Sequence, residues 1–113
     1  MSRSDEQRLD DMREMCARIE RLVGRGRIAF DEDDALQPAI ERSLEVLGEA
    51  ANAVSPERRA DFPSIQWSEV TRLRIVLAHH YHRVGAGELW TIASTDIPVV
   101  TRALGPLVDD GSG

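Results

Sequence analysis

The chain has 113 residues, the size of one domain with one small hydrophobic core. Its formal net charge is −6 and all 14 of its basic residues are arginines, which argues against a protein that coats nucleic acid through a cationic surface. The single cysteine, Cys16, excludes an internal disulfide and a paired-cysteine metal site, and its apolar neighbours predict a core position. There is no membrane-length apolar run and no signal-peptide pattern, so we expect a cytoplasmic protein without membrane contact.

The first two predicted helices each carry one apolar stripe. The first runs over about 4–23, with Ser4 as its N-cap and apolar residues at spacings of three and four. The second runs over about 33–54, and the acidic run 31–34 is predicted to mark its N-terminus. Pro38 falls near the first turn of this helix, where a proline costs little.

Small residues and a loop separate the second helix from the third. Gly48 and Ala50 would let a neighbouring backbone approach the second helix closely. Residues 55–57 predict a fresh N-cap followed by a short helical turn, and 61–67 predict a loop that packs back on the core. The third helix is predicted over 68–84.

The fourth helix is predicted over 88–107, and Pro98 is expected to kink it or split it in two. The tail 109–113 is expected to be disordered, so that a single helical domain spans 1–108. The sequence has no alternating strand pattern and no Gly-rich phosphate loop. Helices joined by short loops predict an all-α fold, an antiparallel four-helix-type bundle.

Titratable side chains concentrate over 72–83 of the third predicted helix, where there are seven: Arg72, Arg74, His79, His80, Tyr81, His82 and Arg83. On a continuous helix Arg72 and His79 share a face opposite the main apolar face, and two β-branched residues, Ile75 and Val76, flank it. We infer that this helix is buried on both sides, against its own bundle and against another subunit. Arg74 and His79 point well apart and could share a site only in a distorted helix or across a symmetric dimer axis.

Four interpretations of this cluster compete. A salt-bridged helix end, with cationic side chains favouring the helix dipole, explains it structurally. A metal site would use His79 and His82, but no third ligand lies nearby on the same helix. A Ser-His-Asp triad lacks a nucleophile-elbow motif. Metal-free cleavage of RNA needs a proton-transfer group and a cation for the transition state, tasks that suit histidine and arginine.

The pattern of Arg74, four residues, His79, one residue and Tyr81 resembles the signature of the HepT-like toxins, members of the HEPN superfamily of small helical ribonucleases. The resemblance extends over roughly 12–107. Four further blocks in order also resemble this family, namely a second-helix block ending in Gly-Glu-Ala, a loop before the motif helix, and two pieces of the last helix: 39–50, 62–67, 88–90 and 96–98.

This resemblance implies a HEPN homodimer that joins through the motif helix and cleaves RNA at the subunit interface without a metal or other cofactor. It implies that His79 transfers the proton and that Arg74 binds and stabilises the phosphate. It also implies a partner, the MntA-like nucleotidyltransferase antitoxin of a type VII-like toxin–antitoxin pair. That antitoxin silences such toxins by attaching AMP to the motif tyrosine, here Tyr81.

Three further residues are accessory candidates: Arg72, Glu49 and His82. Glu49 is either a solvated residue or the partner of a motif arginine, whose rotamer it would then hold. The family commonly has a polar residue, often Asn, directly after the motif arginine, where this chain has Ile75. Ile75 favours a second hypothesis, a non-catalytic helical binding and dimerisation module that partners a small nucleotidyltransferase. The three intact motif residues favour the ribonuclease.

Overall fold

The computed structural model describes residues 4–78 and 84–106, and every regular element in those two ranges is helical. The helices are α1 (Asp5–Val23), α2 (Arg27–Glu32), α3 (Leu36–Asn52), α4 (Pro56–Arg59), α5 (Trp67–Val76), α6 (Ala86–Thr91) and α7 (Ile97–Leu104). A π-helical segment, Ile92–Asp96, joins α6 to α7. The predicted all-α class is confirmed for these residues, and none of their helices is long and apolar enough to cross a membrane. The predicted disordered tail, 109–113, lies outside them.

The start of α1 is capped as the sequence predicts. The Ser4 hydroxyl accepts a hydrogen bond from the Gln7 N–H at 3.2 Å, and the Gln7 side chain accepts one from the Ser4 N–H at 2.8 Å. This reciprocal capping box satisfies two backbone donors that the helix itself leaves unpaired. The predicted apolar stripe is buried along the helix: Leu9, Met12, Cys16 and Ile19.

The acidic run 31–34 does not begin a helix, and that prediction is wrong. The run instead spans the end of α2, a short helix that the sequence pattern does not show, and the turn before α3. The carboxylate of Asp33 accepts a hydrogen bond from the Ala35 N–H at 2.9 Å and so stabilises the turn. The cause of α2 is tertiary, because Phe30 is fully buried and its ring lies 5.0 Å from that of Trp90.

The central element of the fold is α3, which packs against α1 on one side and α5 on the other, while α7 packs on α1. The predicted apolar stripe of the second helix is buried in full: Leu36, Ile40, Leu44, Leu47, Ala51 and Val54. The helix starts three residues later than predicted, at Leu36, and ends at Asn52. The position of α5 is therefore set chiefly by its packing on α3.

The segment between α3 and α5 agrees with its prediction. The Ser55 hydroxyl accepts a hydrogen bond from the Arg58 N–H at 3.2 Å, which caps the short helix α4. The loop that follows packs back on the core through Ile65, which is 5% exposed. The indole N–H of Trp67 donates to the Phe62 carbonyl at 3.2 Å, so the polar end of this large ring is paired.

The predicted third helix is too long. The helix α5 ends at Val76, Leu77 and Ala78 form a turn, and Val84 is not helical. The range 79–83 lies outside the described residues. Two adjacent β-branched side chains, Ile75 and Val76, occupy the last turn, where restricted side-chain rotation lowers helix propensity.

The prediction that Pro98 divides the last helix is confirmed. Proline has no N–H to donate to the carbonyl four residues earlier and its ring clashes with that carbonyl. The chain widens into the π-helical segment just before it, where the Ile97 N–H donates to the Ile92 carbonyl. At the far end of α7, the Arg13 guanidinium of α1 donates two hydrogen bonds, of 3.1 and 3.0 Å, to the Leu104 carbonyl.

Candidate active site

The structure describes three of the six predicted site residues: Arg74, Arg72 and Glu49. The other three lie outside the described residues: His79, Tyr81 and His82. The geometry of the candidate site is therefore the geometry around Arg74, at the end of α5 that leads into the rest of the motif.

Arg74 lies in the last turn of α5 and is half-buried. Its Nε–H is buried and has no hydrogen-bond partner among the residues that the structure describes. Leaving a buried donor without an acceptor is costly, and such groups are rare in folded proteins. A permanently charged guanidinium with an unpaired donor is well suited to bind an anionic oxygen such as that of a phosphate.

The helices α3 and α5 are in close contact at Gly48. A Cβ atom placed there would lie 2.7 Å from the backbone nitrogen of Arg74 and 3.0 Å from the carbonyl oxygen of Val70. No side chain fits at that distance from a rigid helix backbone. The prediction that a neighbouring backbone approaches α3 at Gly48 is confirmed, and the neighbour is the helix that carries Arg74.

Arg72 and Glu49 do not join Arg74 in a cluster of ion pairs. Arg72 pairs with Glu69 across 3.8 Å, and the two side chains are 67% and 68% exposed, so the pair contributes little to stability. Glu49 is exposed and forms no ion pair with an arginine in the described part of the chain. Within those ranges the structure therefore gives no support to a carboxylate that holds the Arg74 rotamer.

The angular relations expected of a continuous third helix do not extend to His79. Because α5 ends at Val76 and a turn follows, the alignment of Arg72 with His79 and the divergence of Arg74 from His79 cannot be derived from helical geometry. This is a correction to the sequence analysis. The sequence gives the number of residues between Arg74 and His79. The direction of one side chain relative to the other depends on the path of the chain after the turn.

Ile75 takes the place of the polar residue that commonly follows the motif arginine in the family that the sequence resembles. Its side chain is 46% exposed, whereas Val70, on the inner face of α5, is 6% exposed. Exposed large apolar residues are informative when they lie beside a candidate site. Arg72 and Ile75 of α5 are thus both exposed in the described part of the chain, and burial of this helix against another subunit stays a prediction.

A groove beside α5 was missed by the sequence analysis. It has a volume of about 390 Å³ and lies between the loop before α5, α5 itself and the last helical stretch. Its lining includes the apolar side chains of Leu73, Ile92 and Val99 and the carboxylates of Glu88 and Asp96. The neighbouring pair Val99-Val100 was the available signal, because adjacent residues on a helix point about 100° apart and such a pair widens the apolar face beyond a single stripe.

Cys16 is not part of a reactive site. It is 1% exposed, as its predicted core position requires. Burial raises the pKa of its thiol to about 11, against a smaller lowering by a hydrogen bond with Thr101, so the thiol is protonated and a poor nucleophile near neutral pH. Over residues 4–78 and 84–106, no three His, Cys, Asp or Glu side chains are grouped as ligands for a metal ion.

Comparison with known proteins gives the family. A family model described as "Ribonuclease HepT-like" matches residues 12–106. The chain belongs to the HepT-like ribonuclease family. The matched range contains Arg74 and Gly48 and all but the first turns of α1, and it confirms the resemblance drawn from the sequence.

Three relatives share much of the chain's length. A protein of Thermococcus cleftensis named as a probable ribonuclease HepT is 34% identical over 101 residues, which are 87% of this chain and 90% of that protein. A protein of Caldanaerobacter subterraneus with a provisional RNase name is 34% identical over 84 residues, 74% and 75% of the two chains. A third protein, from Methanocaldococcus jannaschii and also with a provisional RNase name, is 32% identical over 73 residues, which are 65% of this chain and 67% of that protein. No solved structure matches the chain.

Proposed function

We propose that this chain is the toxin of a toxin–antitoxin pair, an endoribonuclease that cleaves RNA without a metal and is silenced by AMP attached to Tyr81. The observation that carries the proposal is the buried Nε–H of Arg74, which has no partner among the described residues and lies in the range that matches the HepT-like ribonuclease family. The ribonuclease names of the Thermococcus and Caldanaerobacter relatives support the same activity.

The proposed task of Arg74 is to bind the scissile phosphate. A phosphate oxygen would accept the Nε–H that no described residue accepts, so the cost of that unpaired donor is removed only when RNA binds. The guanidinium keeps its charge at any physiological pH and its planar fork matches a phosphate. It would therefore stabilise the extra negative charge that develops on the phosphate in the transition state.

The proposed task of His79 is to move the proton. Histidine is the side chain whose ordinary pKa lies nearest neutral pH, so it can take a proton from an attacking hydroxyl or return one to a leaving oxygen. Arg72 and His82 would be accessory residues beside it. Since two copies of the motif would meet in a homodimer, one cleft would contain the Arg74 and His79 of both subunits.

Three features of the single chain support dimerisation through the motif helix. The groove between α5 and the last helical stretch is open, and it has apolar as well as acidic lining. Ile75 on α5 and Val99 on α7 are 46% and 43% exposed. Burying these surfaces against a second copy would recover apolar contact that one small chain cannot make alone.

The partner that we propose is an MntA-like nucleotidyltransferase. Transfer of AMP from ATP to the Tyr81 oxygen, with release of pyrophosphate and of the hydroxyl proton, would place a phosphate next to the arginines that bind RNA in the proposed cleft. The added negative charge and bulk would compete with the RNA backbone for the same cations. The toxin would then be inactive without any change in its fold.

The test of the ribonuclease is direct. RNA cleavage by the wild type would be compared with that of Arg74→Ala, His79→Ala and the matched control Arg42→Ala, which removes an exposed arginine paired with Glu45. We expect Arg74→Ala and His79→Ala each to lower kcat/KM by about 10²–10³. Arg42→Ala should remain within about twofold of wild type. A wild type that folds and dimerises but leaves RNA intact would overturn the proposal.

The test of the silencing step uses the partner enzyme. Co-expression with a nucleotidyltransferase antitoxin should add mass in multiples of AMP to the peptide that contains Tyr81, and cleavage should stop. Tyr81→Phe should abolish both effects. Modification confined to another residue would contradict the assignment of Tyr81 while leaving the ribonuclease proposal intact.

A second candidate is the non-catalytic binding module, and the exposed Ile75 at a position that is commonly polar in the family favours it. The variant Ile75→Asn separates the two candidates, because an exposed position tolerates the change and Asn can hydrogen-bond RNA or His79. If the chain is a ribonuclease, Ile75→Asn should cleave RNA at least as fast as wild type. If neither protein cleaves RNA while both bind the nucleotidyltransferase, the binding module is the correct function.

A further inference from the structure

We propose that Gly48 is a positioning residue for Arg74: the bare backbone of α3 at Gly48 fixes the place of Arg74 and leaves its Nε–H unpaired for a ligand. The inference rests on the proposed role of Arg74 in binding RNA phosphate. It adds to that role a residue on another helix that has no functional group of its own.

The contact is between the glycine and the root of the arginine. A Cβ at Gly48 would lie 2.7 Å from the Arg74 nitrogen and 3.3 Å from the Arg74 Cβ. Both atoms fix the direction in which the arginine side chain leaves α5. Any side chain at position 48 would therefore have to displace Arg74 itself, whereas a flexible neighbour could have moved aside at little cost.

The helix α3 provides space at this point and no acceptor. Glycine inside a helix is less favourable than alanine, so its presence needs a reason in packing. A serine or asparagine at this position would add a side-chain oxygen that can accept a hydrogen bond. Gly48 adds neither volume nor oxygen where it faces the Arg74 nitrogen and Cβ, and the Nε–H of that arginine is buried without a partner among the residues that the structure describes.

Other glycines of the chain provide a matched control. A Cβ at Gly87, in α6, would meet no heavy atom within 4 Å, and the residue is exposed. Gly48→Ala and Gly87→Ala thus make the same chemical change inside a helix, the first against Arg74 and the second against solvent. Ile40→Val provides a second control, since it loosens the core of α3 two turns away without touching Arg74.

The first experiment is a double-mutant cycle on RNA cleavage. We expect Gly48→Ala to lower kcat/KM by about tenfold or more, since displacements of about 1 Å in a catalytic group cost up to about 100-fold. Gly87→Ala and Ile40→Val should stay within about twofold. In an Arg74→Lys background, Gly48→Ala should cost less than about twofold, because the residue acts through Arg74. If Gly48→Ala lowers kcat/KM by the same factor in the Arg74→Lys background as in the wild type, the two effects are independent and the proposal is overturned.

The second experiment does not depend on activity. The NMR signal of the Arg74 Nε–H, assigned with Arg74→Lys, should exchange with water at least about tenfold more slowly than that of exposed Arg72 in the wild type. Gly48→Ala should shift this signal and speed its exchange, and Gly87→Ala should not. If Gly48→Ala does not fold, the comparison of Arg74 with Arg72 in the wild type is the test. A wild-type Arg74 Nε–H that exchanges with water as fast as that of Arg72 overturns the proposal.

The two experiments separate the inference from the function on which it rests. If the wild type does not cleave RNA but Gly48→Ala alone moves the Arg74 signal, the ribonuclease fails and the placement of Arg74 by Gly48 stands. If the wild type cleaves RNA and Gly48→Ala cleaves it equally well, the ribonuclease stands and the positioning role fails.

Discussion

The two sides of α3 are built differently. Along its apolar stripe, residues such as Leu44 are fully buried, and the one buried polar side chain among the described residues, Ser43 of the same helix, is hydrogen-bonded. On the side that faces α5, the contact rests on Gly48, the Arg74 Nε–H has no partner among the described residues, and Ile75 beyond it is exposed. The first side serves stability, and the second gives up some stability for a site that can bind a ligand.

The largest expected effect lies in the apolar stripe of α3. Leu44→Ala should lower the free energy of unfolding by about 3 kcal/mol, because it leaves a cavity in a closely packed core. Val99→Ala, on an exposed position beside the groove, should cost less than about 1 kcal/mol in the monomer. Urea denaturation of both variants at a concentration below dimerisation measures the difference. Equal losses would show that the two regions do not differ in this way.

A smaller effect is expected where α4 meets the start of α1. The Ser55 hydroxyl donates to an Asp5 carboxylate oxygen at 2.6 Å and also caps α4. Ser55→Ala should therefore cost about 1–2 kcal/mol of unfolding free energy. Ser68→Ala, on the exposed first turn of α5, should change it by less than about 0.5 kcal/mol. Thermal unfolding checks the pair, and a loss confined to Ser68→Ala would contradict it.

The same contact predicts a pH dependence. Hydrogen bonds from the Ser55 side chain and backbone hold the pKa of Asp5 below its ordinary value of 3.8. The folded state thus favours the carboxylate, so this contribution is present above pH ~4 and is lost as pH falls through the folded-state pKa. Denaturation measured from pH 6 to pH 3 should show a smaller loss of stability for Asp5→Asn than for wild type. Parallel curves would exclude the contact as the cause.

The smallest effect is expected at Arg74 itself. Arg74→Met keeps an unbranched side chain against α3 and removes the unpaired donor, so stability should stay within about 0.5 kcal/mol of wild type or rise slightly. RNA cleavage should fall as in Arg74→Ala. Unchanged stability together with lost RNA cleavage would show that Arg74 serves the site, whereas the buried apolar residues of α3 serve stability. A loss of stability above about 2 kcal/mol would make Arg74 a structural residue.

The long helices and the close approach at Gly48 could be predicted from the sequence because their causes are local. Apolar spacing of three and four marks α1 and α3, a glycine marks the crossing, and Pro98 marks the division of the last helix. Six residues are too few to show such a period, so α2 was missed. The cause of α2 is a contact with a distant part of the chain. The Arg27 guanidinium lies 5.7 Å from the ring of Phe30, in the same helix, and 5.8 Å from the ring of Trp90, in α6.

The candidate site could be predicted in part. The motif pattern identified Arg74. It does not show that the Nε of its guanidinium is buried without a partner among the described residues, because that depends on how α3 crosses α5. The groove depends likewise on residues from separate segments, such as Leu73 and Val99. The early end of α5 was missed because the apolar period continues past Val76 in the sequence.

The contact between Arg13 and the Leu104 carbonyl joins residues 91 positions apart. Closing so long a loop costs more chain entropy than pairing α1 with α3, so in folding we expect α7 to dock after the α1–α3 pair has formed. The element expected to dock last is also the one expected to detach first. We therefore expect partial opening of the folded protein to begin with transient release of α7 from α1. Since α7 also forms one wall of the groove, we expect loss of the Arg13 contact at the end of α7 to increase how often that wall opens.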